Sequence, residues 1–367
     1  MIFLGAGASK PFGIPTLEEF SKIVCDKLEA LGHKDVLVRI RDSLKEFNLS
    51  LDFESLYSIL EGLVNPQMAV TYAGPLTAYL IGKKDDLPKS YDYSKVLRDL
   101  RKEIYKQCRV DSERFKVVEG CYEKLLEVTE KNTSSESIYN NPPQTVSIGK
   151  VFATTNYDMS LELYFYRKNT QVIDGFEETG GFVKYYNPSL LLNPYESKNS
   201  RTIIKLHGSI FQFLKGDQMI KTKLDPSSKA LPFKINVGSE MMIYPTREKD
   251  VLIEPYFSFF STFKNINWSK LLVIGYSFRD EPINNAIIER MKIDENSQLI
   301  VIDPKVEEVV DNLYSNISPS LVWTIPNHRL FKYQGKFGSS EVYEYLKRIE
   351  RVSNTQDLTF DPSKLAS

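Results

Sequence analysis

The sequence predicts an α/β protein with an open, mostly parallel sheet and a large helical insertion. Three observations carry this expectation. The apolar runs IFL at 2–4, KLLVIGYSF at 270–278 and SQLIVIDP at 297–304 read as strands buried on both faces, as the centre of a parallel sheet requires. Helical patterns alternate with these runs after residue 145. Between them, residues 35–130 read almost wholly as helix, too long a stretch for an ordinary strand-to-strand crossover.

The elements follow in order. Residues 1–4 form a first strand, with GAGAS at 5–9 as its turn. Thr16 caps a helix over LEEFSKIVCDKLEALG, with Glu19 at the capping-box position and Gly32 ending it. Leu17, Phe20, Ile23, Val24, Cys25 and Leu28 give that helix its core face. Helices are predicted at 35–47, 52–63, 67–82, 93–108 and 111–131, and the polar stretch 130–144 as an exposed loop. TVSIGKVFATTNYD reads as a strand running into a turn, followed by a helix over 158–167. TQVIDGF and RTIIKLHGS are strands, 210–245 is irregular, and IEPYFSFFSTFKNINW is a helix. A helix from Asp280 to Lys292 separates the last two strands, and the tail DLTFDPSKLAS frays. Together these describe a Rossmann-like, mostly parallel sheet.

Composition narrows the class. A chain of 367 residues that is 42% hydrophobic and 26% charged supports a sizeable core and excludes global disorder. Forty-seven basic against 48 acidic residues give a net charge of -1, which argues against broad nucleic-acid coating. Three separated cysteines make neither a disulfide framework nor a C-x-x-C pair, so a reducing cytoplasm is expected. No apolar run reaches membrane-spanning length, and the first residues lack the pattern of a signal peptide.

Ligands of open parallel sheets collect beyond the carboxyl ends of the strands. GAGAS at 5–9, TTNYD at 154–158, LHGS at 206–209, GYSFRDE at 275–281 and VIDP at 301–304 all fall at such ends. GAGAS lacks the Walker spacing, and Lys10 stands where a third glycine would complete G-x-G-x-x-G. Gly5 and Gly7 can still bring backbone amides to a diphosphate and Ser9 can add a hydroxyl; a plain turn fits equally well. The segment after it is a helix, not a second strand, which disfavours a hydride-transferring dehydrogenase. Asp303 is a candidate for an adenosine ribose or a turn cap. Gly275 and Ser277 offer close approach and a hydroxyl, while Arg279 and Asp280 read as a surface pair or helix cap. Of three histidines, His33 reads as solvated and His328 as a loop residue; His207, after IIKL, can act as a general base. Asn156 can orient a water or a ribose hydroxyl, or cap a helix. Scattered histidines and no cysteine cluster predict no metal site.

Taken in order, GAGAS with GIP behind it, TTNYD, LHGS, GYS and an acidic strand end resemble the sirtuin superfamily. The closer resemblance is to SIR2-like domain proteins of prokaryotic antiviral defence, which hydrolyse NAD+. It covers about 1–20 and 145–305. The resemblance implies a SIR2-like NAD-binding domain over 1–34 and 145–330; it does not account for the helical insertion or subdomain expected over 35–144, and 331–367 is expected as a C-terminal extension. It places Gly5, Ala6, Gly7 and Ser9 at the NAD diphosphate, and Asn156, with Thr155 beside it, at the nicotinamide ribose. Asp158 would support the pocket and His207 act on ribose hydroxyls or water. Gly275 and Ser277 would flank adenosine and phosphates, and Asp303 the adenosine ribose.

Departures from the deacylating sirtuins shift the expected chemistry. No cysteine follows Cys121, so the four-cysteine zinc module is missing, and no zinc is expected. GIP continues as Thr16-Leu17-Glu18 where deacylases have Asp-Phe-Arg. The expectation is therefore an NAD+ glycohydrolase acting as a regulated antiphage effector, with NAD+ as substrate. An NAD-dependent deacylase or ADP-ribosyl transferase and a non-catalytic nucleotide-binding scaffold are the alternatives. Such a hydrolase needs restraint, so a homo-oligomer, or a separately encoded regulator such as a HerA-like ATPase, is the expected partner.

Overall fold

The structure, a computed structural model, describes residues 1–46, 50–64, 91–130, 146–178, 183–192, 200–215, 218–222, 241–242, 254 and 256–354. The expected helix 67–82, most of the expected loop 130–144 and the tail lie outside these residues.

Seven strands form one sheet, in which every pairing is parallel. They are β1 (Ile2–Leu4), β2 (Val151–Thr154), β3 (Gln171–Ile173), β6 (Ser200–Lys205), β10 (Lys270–Ile274), β11 (Gln298–Asp303) and β12 (Leu330–Gln334), in the order β12-β11-β10-β1-β2-β6-β3. The chain leaves β1 to build one side through β2, then returns to build the other from β10. β1 is thus the switch point of a doubly wound sheet, the place where a crevice opens. The predicted α/β, mostly parallel Rossmann-like class is what the strands form.

Alternation along the strands divides the core into two layers. Phe3, Ala153, Ile204, Val273 and Val301 face one way, onto the helices Tyr256–Asn265 (α8), Glu281–Ile293 (α9) and Val306–Ser315 (α10). Ile2, Leu4, Phe152, Ile203, Leu272, Ile274 and Ile302 face the other, onto Ser112–Glu130 (α6), Ser160–Arg167 (α7) and Ser340–Asn354 (α11). Two-sided burial explains why these strands read as continuous apolar runs.

A third cluster holds the helical block. Helices Leu17–Leu28 (α2), Lys34–Lys45 (α3), Phe53–Val64 (α4) and Tyr93–Cys108 (α5) bury Phe20, Leu28, Ile40, Leu60, Leu100 and Ile104 together. The Thr16–Glu19 capping box forms as predicted. Gly32, at φ 89°, does not end the helical run; it makes a kink over Glu29–His33 between α2 and α3. This kink tucks His33 inside, where it pairs with Asp99 of α5 at 3.0 Å, correcting the expectation of a solvated histidine.

Two further regions differ from expectation. Residues 210–245 are not simply irregular: β7 (Gln212–Lys215), β8 (Gln218–Thr222) and β9 (Met241–Met242) join β4 (Phe176–Glu178) and β5 (Val183–Tyr186) in a second, antiparallel sheet. Its short strands carry lysines and glutamines, which hide the alternation that buries Phe213 and Ile220. β12 is not among the expected strands, because LFKYQ is short and half polar; it forms the sheet edge by pairing with β11.

Candidate functional site

Register lines up the strand ends. Leu4 pairs with Thr154 and with Ile274, Thr154 with Lys205, and Ile274 with Ile302. The ladder then continues by one bond at each turn: Gly5 N–H donates to Ile274, Thr155 to Leu4, Leu206 to Thr154 and Gly275 to Ile302. Two residues past this level stand Ala6, Asn156, His207 and Tyr276. Asp303 is one residue past it on β11. At a spacing of about 4.8 Å per strand, β6 to β11 spans about 19 Å of sheet edge. The five sequence features therefore share one rim.

The GAGAS turn becomes the short helix Ala6–Ser9 and is locked to the β10 turn. Gly7 N–H donates to the Gly275 carbonyl at 2.9 Å. A Cβ on Gly275 would lie 2.4 Å from the Ala8 nitrogen, and one on Gly5 would lie 2.4 Å from the Gly275 oxygen. At these two positions the missing side chains serve backbone-to-backbone packing between turns, in addition to any approach to a ligand. Ala6 and Gly7 are half-buried, while Ser9 is 1% exposed.

Asn156 is the hub. Its amide nitrogen donates to the Gly5 carbonyl and to Ser9 Oγ, each at 2.8 Å. The carbonyl can only accept, which fixes the amide orientation and leaves Oδ1 as an acceptor. The Ser9 hydroxyl donates to Asp158 Oδ2 at 2.7 Å, and Asp158 Oδ1 accepts the Ser160 N–H at 2.9 Å. Ser9 thus organises the rim from beneath rather than pointing a hydroxyl donor outward. Thr154 Oγ1 donates to the Leu4 carbonyl and accepts the Asn156 N–H, a support that no motif in the sequence marks. Thr155 is half-buried beside it.

His207 is buried at the end of β6, and Gly208 turns the chain at φ 74°. Its Nε2 lies 3.5 Å from Asp280 Oδ1. Asp280 does occupy the N-cap position of α9, but its carboxylate serves His207 and the Tyr276 hydroxyl (3.0 Å) rather than the helix amides. The expectation of a pair with Arg279 is corrected accordingly. For Asp280, which follows β10, to reach His207 on β6, residues 275–280 must run over the ends of β1 and β2. Phe278 adopts φ 52° in this crossing. Asn284 and Asn316 donate to its carbonyl, and Asn312 to that of Ser277. A non-glycine residue so held, at a cost of order 1–3 kcal/mol, marks a segment whose shape matters.

The rim is completed at β11. Asp303 Oδ1 accepts the Lys305 N–H at 2.8 Å, and burial raises the Asp303 carboxyl above its usual range. Beneath the rim lies a charged layer. Lys205 Nζ donates to the Asp158 carbonyl and lies 3.7 Å from Glu162; Lys221 of β8 sits 3.5 Å from Glu162 and 2.5 Å from Asp174. The layer ties the antiparallel sheet to the parallel one. From the helical block, Glu54 accepts the Tyr157 hydroxyl at 2.7 Å, reaching the segment between Asn156 and Asp158.

Among the described residues no group of three histidine, cysteine or acidic side chains could hold a metal, and Cys25, Cys108 and Cys121 are free and buried. No helix among them is long and apolar enough to cross a membrane.

None of the curated proteins matches this chain significantly. Solved structures that resemble it include a Sir2 homologue in complex with NAD, at 14% identity over 96% of this chain and 89% of that one, TM-score 0.40. A mutant Sir2 homologue with ADP ribose is similar at 15% identity over 98% and 94%, TM-score 0.43. The family model described as the SIR2-like domain matches residues 150–318, which contribute β2, β6, β10 and β11 on either side of β1. Over residues 150–318 this chain is therefore similar to the SIR2-like domain family.

Proposed function

We propose that this protein is an NAD+ glycohydrolase that breaks the nicotinamide–ribose bond to give nicotinamide and ADP-ribose. The observation that carries the proposal is the bonded chain Asn156–Ser9–Asp158, set at the switch point of the sheet beside a histidine that faces a carboxylate at 3.5 Å. That arrangement supplies an acceptor, a buried anion and a base along one rim.

The chemistry balances with water alone. The C–N bond breaks, and its electron pair goes to the nicotinamide nitrogen, neutralising that ring. Positive charge develops on the ribose, where the buried Asp158 carboxylate and the fixed dipoles of the rim favour it. Water adds its oxygen to C1′, and His207 takes the released proton directly or through a ribose hydroxyl. Asn156, with both amide protons committed, orients a ribose hydroxyl or the water through Oδ1. Gly5, Ala6, Gly7, Thr155, Gly275 and Ser277 line the diphosphate and ribose path, and Asp303 accepts from the adenosine ribose.

The sequence favours hydrolysis over deacylation, because no cysteine follows Cys121 and Thr16-Leu17-Glu18 replaces the acyl-lysine-binding continuation of deacylases. A role as a regulated antiphage effector, working as a homo-oligomer or under a partner such as a HerA-like ATPase, completes the proposal. The Tyr157–Glu54 bond gives the helical block a route to the site. The test is nicotinamide release by wild type, Asn156→Ala and His207→Ala. Loss of about 100-fold or more in both variants is expected, and equal release by all three overturns the site assignment.

A further inference from the structure

The histidine of this site faces a carboxylate, and that contact bears on where its ring proton sits. His207 Nε2 faces Asp280 Oδ1 at 3.5 Å, and an ionised carboxylate only accepts. The negative charge favours a proton on the nitrogen that faces it, and a neutral ring so protonated keeps its lone pair on Nδ1. Asp280 is itself fixed. Its Oδ2 accepts the Tyr276 hydroxyl at 3.0 Å, and its carbonyl accepts the Asn284 N–H. It also stands at the N-cap of α9, where the helix dipole favours an anion. Tyr276 is buried against Phe3 and Phe278, at ring separations of 4.6 and 5.0 Å. Burial, then the charge of Asp280, push its phenol well above the ordinary value, so it remains the donor.

We propose that Asp280 is the positioning residue of His207: it holds the Nε2–H tautomer so that Nδ1 is the atom that takes the proton, and Tyr276 holds Asp280 in place. The catalytic part rests on the NAD+ cleavage proposed above; the tautomer does not. In an Asp280→Asn variant, the fixed Tyr276 donor claims the amide oxygen. The amide NH2 then faces His207, which must present a lone pair at Nε2 and carry its proton on Nδ1. The variant keeps size, shape and N-cap, yet leaves the base nitrogen blocked. Adding Tyr276→Phe removes the donor, frees the amide to rotate and restores the original tautomer.

The experiment combines ring nitrogen-15 spectra of histidine-labelled protein with steady-state kinetics on NAD+. His207 is identified by the signal lost in His207→Gln. The expected result is an Nε2–H ring in wild type, an Nδ1–H ring in Asp280→Asn and a return toward Nε2–H in Asp280→Asn/Tyr276→Phe. In step with this, kcat should fall about 100-fold or more and then partly recover, with KM changing little. An Nδ1–H ring in wild type, or an unchanged ring in Asp280→Asn, overturns the proposal. If wild type cleaves no NAD+, the function proposed above fails while the spectra still decide the role of Asp280.

Discussion

The Ser9 hydroxyl donates to Asp158 Oδ2 at 2.7 Å, joining two turns that lie 149 residues apart in the chain. Both side chains are buried, at 1% and 3% exposure, so neither has water to fall back on. In Ser9→Ala, Asp158 loses a donor and Asn156 loses one of its two acceptors. Unmade buried hydrogen bonds of this kind cost about 1–3 kcal/mol. The expected outcome is a lower thermal midpoint together with a fall in NAD+ turnover as Asn156 loosens. A variant with unaltered melting and turnover would show that the bond organises nothing.

Gly275 is where two turns touch backbone to backbone. A methyl there would meet the Ala8 nitrogen at 2.4 Å and the Gly7 carbonyl carbon at 2.5 Å, and its φ is 62°. Neither neighbour is a flexible side-chain end that could move aside. Gly275→Ala is expected to cost more than about 1 kcal/mol and to disorder the rim. Gly120→Ala is the control, since nothing lies within 4 Å of its Cβ position. Denaturant midpoints of the two variants measure the difference.

Glu162 gives the fold a pH dependence. Burial raises its carboxyl, but Lys205 and Lys221 outweigh that effect, so it lies below its usual value of 4.5. A carboxyl lowered by folding adds stability above that value, and the contribution is lost as pH falls below it. Glu162→Gln is therefore expected to lower the melting temperature at pH 7, with the gap to wild type closing below about pH 4.5. Melting curves across pH 3–7 test this, and a gap independent of pH would contradict it.

The sheet was legible because its strands are buried on both faces and so appear as unbroken apolar runs. Thr16 and Glu19 announced the first long helix through a local bond that the sequence alone specifies. The antiparallel sheet was hidden because Lys221 is a buried charged residue whose partners, Glu162 and Asp174, come from distant segments. At the site, strand ends placed Asn156 and His207 on one rim without any knowledge of contacts. Asp280 reads in the sequence as half of a surface pair or as a helix cap; its contact with His207 is not legible there because it lies across the ends of two intervening strands, a relation that the Phe278 crossing creates and no spacing encodes.

The measurement that most directly tests the central claim is product stoichiometry from NAD+, with and without an acyl-lysine peptide. Hydrolysis predicts nicotinamide and ADP-ribose in equal amounts, unaffected by peptide and lost in His207→Ala. Nicotinamide release that requires the peptide and yields acyl-ADP-ribose, or tight NAD+ binding without turnover, would contradict it.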